Sequence, residues 1–292
     1  MEGDRPKLPR VAPPRIFPAA TRSAKPPLDA AGSADAYRQT TFVLGKDIDL
    51  LLRGFALESG IAEASSDGKH RTQKMVAGLG LWSRAWLTRL EAMHALEWGN
   101  YVAAVALVRA AADYQAGGLY VLRDGAEEWS EWLAQGGIAI SADVHATEFR
   151  LHAFRAAEVL ASHEILGPVY RAATDLSLSH FGATLLLAGS DSTPERVLMT
   201  FGDRDFHLGL AEIITGWLLL LSVAQLEAAL EFATVFAVPD EGLLARFNRD
   251  AREVASAASR CRIESTELAG DKRYLVHNWR RQPGAASKRL LL

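Results

Sequence analysis

Asn100-Tyr-Val-Ala-Ala-Val-Ala-Leu-Val-Arg109-Ala-Ala-Ala-Asp113-Tyr114 is the stretch whose reading decides the fold. Between Tyr101 and Ala112 its only charge is Arg109, and Asp113 follows one helical turn later. A helix apolar on nearly every side is usually surrounded by protein. A charge inside it must be paired or serve a function. The stretch therefore predicts a buried helix, capped by Asn100 and ending near Gly117-Gly118 or a turn later. Arg109 and Asp113, at i and i+4, share one face and can pair. An arginine so placed offers a fork of donors to a phosphate or carboxylate, with the aspartate to orient it.

Working outward, no proline occurs from Gly32 to Gly167, which permits long helices. Ser33 can cap a first helix running to about 63, and a second covers about 72–98 with Trp82 and Trp86 one turn apart. After the central helix come a short helix at 126–134, a turn at 136–141 and a helix at 143–162. Pro168 opens another helix reaching 187. Residues 196–201 read as a lone strand, 206–236 as a second strongly apolar helix, and 239–262 as the last helix. The expectation is an all-α, multi-helix bundle. Residues 1–33, with seven prolines by position 27, read as a disordered segment. Residues 34–269 form the bundle domain, and 270–292 a basic C-terminal tail.

The charge distribution sharpens this division. Net charge is −3 overall, but 1–33 carries +3 and 270–292 carries +5, so two basic ends flank an acidic body. The total gives no strong pull towards nucleic acid or membrane. The longest strongly apolar run, Ile213 to Leu226, is shorter than the roughly 20 residues that span a bilayer. The N-terminus lacks the apolar core of a secretory signal, and Cys261 is the only cysteine. These features predict a soluble, cytoplasmic protein without a membrane partner.

Tyr170, Thr174, Ser177, His180 and Thr184 are spaced to share one helix face. The bland reading has Ser and Thr bonded back to carbonyls. In the sharper one His180 exchanges protons near neutral pH with Ser177 in contact. No Gly-x-Ser-x-Gly turn supports a hydrolase triad. His145, Glu148 and His152 fall on one face at metal-ligand spacing, although exposed His and Glu on a surface helix are commoner, so no metal and no cofactor are expected. Glu91 and His94 form the sole Glu-x-x-His, where a di-metal bundle needs two. From Arg273 to Arg281 basic and aromatic residues alternate, a weak pattern for single-stranded nucleic acid.

Two segments carry a family resemblance. Gly99-Asn100-Tyr101 through Arg109 to Asp113 is similar to a helix in a broad group of uncharacterised prokaryotic all-helical proteins, in which an apolar run precedes an Arg with an acid four residues later. Leu176-Ser177-Leu178-Ser179-His180 resembles that group's Leu-Ser-x-x-His. Here Asp113 stands where the group usually has Glu. The resemblance implies a helical fold and a site where the Arg109/Asp113 and Ser177/His180 helices meet, and no activity. Arg273 and His277 sit one residue too close for the Arg-to-His motif of helical RNases of the higher eukaryotes and prokaryotes nucleotide-binding superfamily.

The residues leave three readings. The first is a ligand-binding or interaction protein that takes a small anionic ligand or a protein partner at Arg109, Asp113, Tyr170 and His180. The second is a helical nuclease or nucleotide-processing enzyme with His180, and Ser177 beside it, as catalytic candidates and Arg109 holding phosphate. The third is a structural bundle that self-associates as a homo-oligomer through a Trp-rich surface.

Overall fold

The computed structural model describes residues 10–17, 20–30, 32–66, 72–134, 154–179, 181–193 and 195–292. The core is built on α9 (Leu208–Glu231), whose Leu, Ile, Val and Trp side chains point in all directions and are nearly all buried. Such a helix must be wrapped, and α2 (Gly45–Ser66), α3 (Gln73–Glu97), α4 (Tyr101–Tyr120) and α10 (Glu241–Ser256) wrap it. It is long and apolar enough to cross a membrane, yet most of it lies inside the bundle. Each fully buried Leu or Ile contributes about 1.5–3 kcal/mol relative to exposure.

α3 and α4 form a tight antiparallel pair. Thr72 caps α3 by accepting from Met75 N at 3.2 Å, and Asn100 caps α4 by accepting from Ala103 N at 3.4 Å. Between them Gly99 has φ 71°, and a Cβ there would lie 2.1 Å from the Arg204 carbonyl oxygen, so only glycine fits. α4 continues through one π-helical turn (Val121–Gly125) into α5 (Ala126–Ala134).

Several expected elements are divided. The first helix is two, α1 (Ser33–Val43) and α2, and Ser33 lies inside α1 without capping it. The helix expected at 168–187 is also two, α7 (Leu166–Ser177) and α8 (Phe181–Ala188). Of the helix expected at 143–162, α6 (Ala157–Ser162) falls among the described residues. Residues 196–201 form no strand, only an isolated bridge between Thr193 and Arg196.

The fold is mostly helical, and the strictly all-α expectation is overturned at the C-terminus. The basic tail expected at 270–292 is instead two of the three strands of an antiparallel sheet, ordered β1 (Arg262–Leu268), β2 (Asp271–Trp279), β3 (Lys288–Leu291). Leu268 pairs with Asp271 across a two-residue loop, Ala269-Gly270, with both residues at positive φ. That is the backbone a tight hairpin requires. Val276 and Trp279 bury one face against the bundle. Beyond β2, the carbonyls of Arg281 and Arg280 accept from Leu208 N and Gly209 N, both at 2.9 Å. The chain end thus satisfies donors that the start of a buried α9 would otherwise leave orphaned.

Within residues 1–33, expected to lack structure, the described residues 21–24 carry fixed partners. Ser23 N donates to Glu97 at 2.8 Å, and Trp98 Nε1 donates to the Ala24 carbonyl at 2.9 Å. His94 Nε2 donates to the Thr21 carbonyl at 2.8 Å, and Arg22 pairs with Asp49 at 3.0 Å. The segment is a strap tied to α2 and α3.

Candidate functional site

α4 is not apolar all round. Tyr101, Ala104, Val105, Val108, Ala111, Ala112 and Gln115 form its buried stripe, while Val102, Ala106, Arg109 and Asp113 follow one another along the exposed side. The expected buried Arg109–Asp113 pair is therefore incorrect on both counts: each side chain is exposed, and no ion pair joins them. Val102 and Ala106 conceal this side in sequence, because each looks apolar although exposed.

Arg109 turns instead to α7. Its Nε donates to Thr174 Oγ1 at 3.2 Å, an Nη donates to Tyr170 Oη at 3.4 Å, and the guanidinium lies 5.4 Å from the Tyr170 ring centroid. The 4-residue spacing read from sequence does put Tyr170 and Thr174 on one face, towards Arg109. Among the described residues no carboxylate is ion-paired with Arg109. Asp113 and Tyr170 border an adjoining groove of about 630 Å³ between α4, α6 and α7, together with Arg155, Glu158 and Arg171. Arg171 donates to the Leu160 carbonyl at 3.4 Å, and Arg155 pairs with Glu128 at 3.4 Å, so neither is spent on Asp113.

The remaining candidates separate from this cluster. Ser177 is exposed at the end of α7 and donates to the Ala173 carbonyl at 2.5 Å, the bland role. His180, His145, Glu148 and His152, and with His180 the expected meeting with the Arg109 helix, lie outside the described residues. Among the described residues no group of His, Cys, Asp and Glu is arranged to hold a metal.

The buried charge that the sequence announced exists, on other helices. Arg89 of α3 and Glu58 of α2 are both fully buried. Arg89 forms a two-pronged ion pair with Glu58, one prong at 2.8 Å, and donates to Ser222 Oγ of α9 at 2.7 Å. Trp82 Nε1 adds a 2.7 Å bond to the same carboxylate. The signal was present: Arg89 continues the stripe Met75, Gly78, Trp82, Ala85, Ala92, Leu96, and Glu58 follows Leu51 and Phe55 on α2. Glu212, also buried, pairs with Arg280 at 2.9 Å and accepts from Cys261 N at 2.7 Å. Burial still raises its pKa, and pushes the Cys261 thiol up to about 12.

The basic–aromatic stretch is likewise committed within the molecule. Trp279 is buried, Tyr274 Oη donates to Asp175 at 2.5 Å, and Arg281 pairs with Asp191 at 2.5 Å. Nucleic-acid stacking needs exposed rings and unpaired cations. Of the seven tryptophans, Trp82, Trp217 and Trp279 are buried and the other four are half-buried.

Fold and site together define a mostly helical protein with a small C-terminal sheet and an arginine-bearing groove. Comparison of the chain with protein-family models, with curated proteins and with solved structures finds no match.

Proposed function

We propose that this is a helical binding protein that takes a small phosphate- or carboxylate-bearing ligand at the mouth of the α4–α7 groove. The observation that carries the reading is Arg109, held by Tyr170 and Thr174 with no paired carboxylate among the described residues. A guanidinium fixed over an aromatic ring keeps a planar fork of donors ready for an oxyanion at little entropic cost. Arg155 and Arg171 around the groove add positive charge, and Asp113 and Glu158 supply acceptors for a ligand's hydroxyl or amine. The resemblance to the helical group with an Arg and an acid on an equivalent helix supports the same location. A reducing, cytoplasmic setting belongs to this reading, supported by the single buried thiol.

Calorimetric titration with inorganic phosphate and with citrate tests it. Binding of one or both to the wild-type chain should weaken about 10- to 100-fold in Arg109→Ala, the scale of a hydrogen bond to a charged group. Equal binding by both proteins, or heat from neither anion, would overturn the proposal.

A further inference from the structure

A second concavity, on helices that do not carry Arg109, is bordered by the chain's own residues 14–17. It lies between α2 and α3, about 220 Å³ in volume, with walls of Ala62, Leu79, Trp82, Trp86 and Leu87. Its floor is the Glu58 carboxylate, whose oxygens are held by Trp82 and Arg89. Residues 14–17 lie along its rim. Within that stretch Pro14 and Ile16 are half-buried, while Arg15 and Phe17 are exposed. The segment has no helical or ladder pairing, and the Pro13-Pro14 pair favours extended, polyproline II backbone. Further on, the strap is tied down at Ser23 and Ala24.

We infer that the α2–α3 groove is a recognition groove for a proline-rich extended peptide, and that residues 14–17, which line its rim, act in cis as a competing resident. Three observations carry this. The walls combine two tryptophans with aliphatic side chains, the surface on which preformed polyproline segments dock. The chain's own rim segment, with Pro13, Pro14 and Ile16, has that chemistry. The seat is also incompletely filled: space remains, and Leu87 stays 52% exposed. A partner with a bulkier aliphatic or aromatic side chain beside its prolines would fill it better than Pro14 and Ile16 do. Because the resident is tethered, its effective concentration is high, and a partner must displace it to bind.

The test uses the full-length chain and a fluorescein-labelled peptide with the sequence of residues 10–17, followed by anisotropy. Ile16→Asp weakens the resident's seat and should raise the peptide's affinity at least about tenfold over wild type. Leu87→Asp, at an exposed wall position, should abolish binding while leaving the melting temperature unchanged. Should that variant unfold, Ser83→Arg on the same wall replaces it. Equal affinity for wild type and Ile16→Asp would refute the cis competition. Binding that survives both wall variants, or no binding by any protein, would refute the groove. A wild-type dimer in light scattering that Ile16→Asp dissociates would put the strap in a second copy and overturn the cis assignment. None of these outcomes bears on Arg109.

Discussion

Two arginines on neighbouring helices have opposite environments. Arg89 is wholly buried and saturated by Glu58, Ser222 and the Ala85 carbonyl, whereas Arg109 is solvent-exposed above Tyr170. Removing Arg89 alone strands the Glu58 carboxylate in the core, so Arg89→Ala should cost about 3–5 kcal/mol in urea unfolding. The double replacement Arg89→Met/Glu58→Met should cost clearly less, since no charge is left unpaired. A double variant worse than the single one would mean that the pair itself supplies net stability. Arg109→Ala should change stability by no more than about 0.5 kcal/mol. A histidine tells a related story. His207 is buried between Tyr101 and Trp279, with neither ring nitrogen bonded, and burial lowers its pKa to about 4 from an ordinary 6.5. The unfolded chain takes up this proton as pH falls below 6.5, but the folded chain resists until about 4. Stability is therefore lost across that window, by roughly 3 kcal/mol from this residue. His207→Phe should flatten the corresponding drop in urea midpoint between pH 7 and pH 4.5. The same pH dependence in both proteins would remove His207 as its source.

At the scale of elements, helices were legible where caps and periodicity agreed. The Asn100 cap, the 3- and 4-residue spacing of α3 and the apolar density of α9 each mark a true element. The hairpin was not legible, because its turn reads Ala-Gly where the usual signal is Asn-Gly or Asp-Gly. Ala269 holds φ 54°, an unfavourable region for a residue with a Cβ. Ala269→Asn should relieve that and raise stability by about 1 kcal/mol, read as a higher melting temperature. A lower melting temperature would show that the turn is held by something other than its own backbone preference. The candidate site was legible in part. Arg109, Tyr170 and Thr174 were singled out by spacing and do meet, but α4 reads as apolar all round because Val102 and Ala106 stand on its exposed side.

For the whole molecule, what escaped the sequence is long-range. No local pattern says that Ser23 will meet Glu97, that Arg280 will pair with Glu212, or that the Arg281 carbonyl will accept from the start of α9. Both basic ends of the chain read as solvated runs, yet three of their described cations find partners on the acidic body, Arg22 on Asp49, Arg280 on Glu212 and Arg281 on Asp191. Charge asymmetry between ends and body was visible; which end would dock where depended on burial at distant helices. The central claim is that Arg109, poised over Tyr170, receives an anion. The measurement that tests it most directly is a proton–nitrogen spectrum of the arginine Nε–H groups during titration with inorganic phosphate. The Arg109 signal, assigned by its loss in Arg109→Lys, should shift progressively and saturate while that of buried Arg89 stays fixed. An Arg109 signal that does not move at saturating phosphate would contradict the claim.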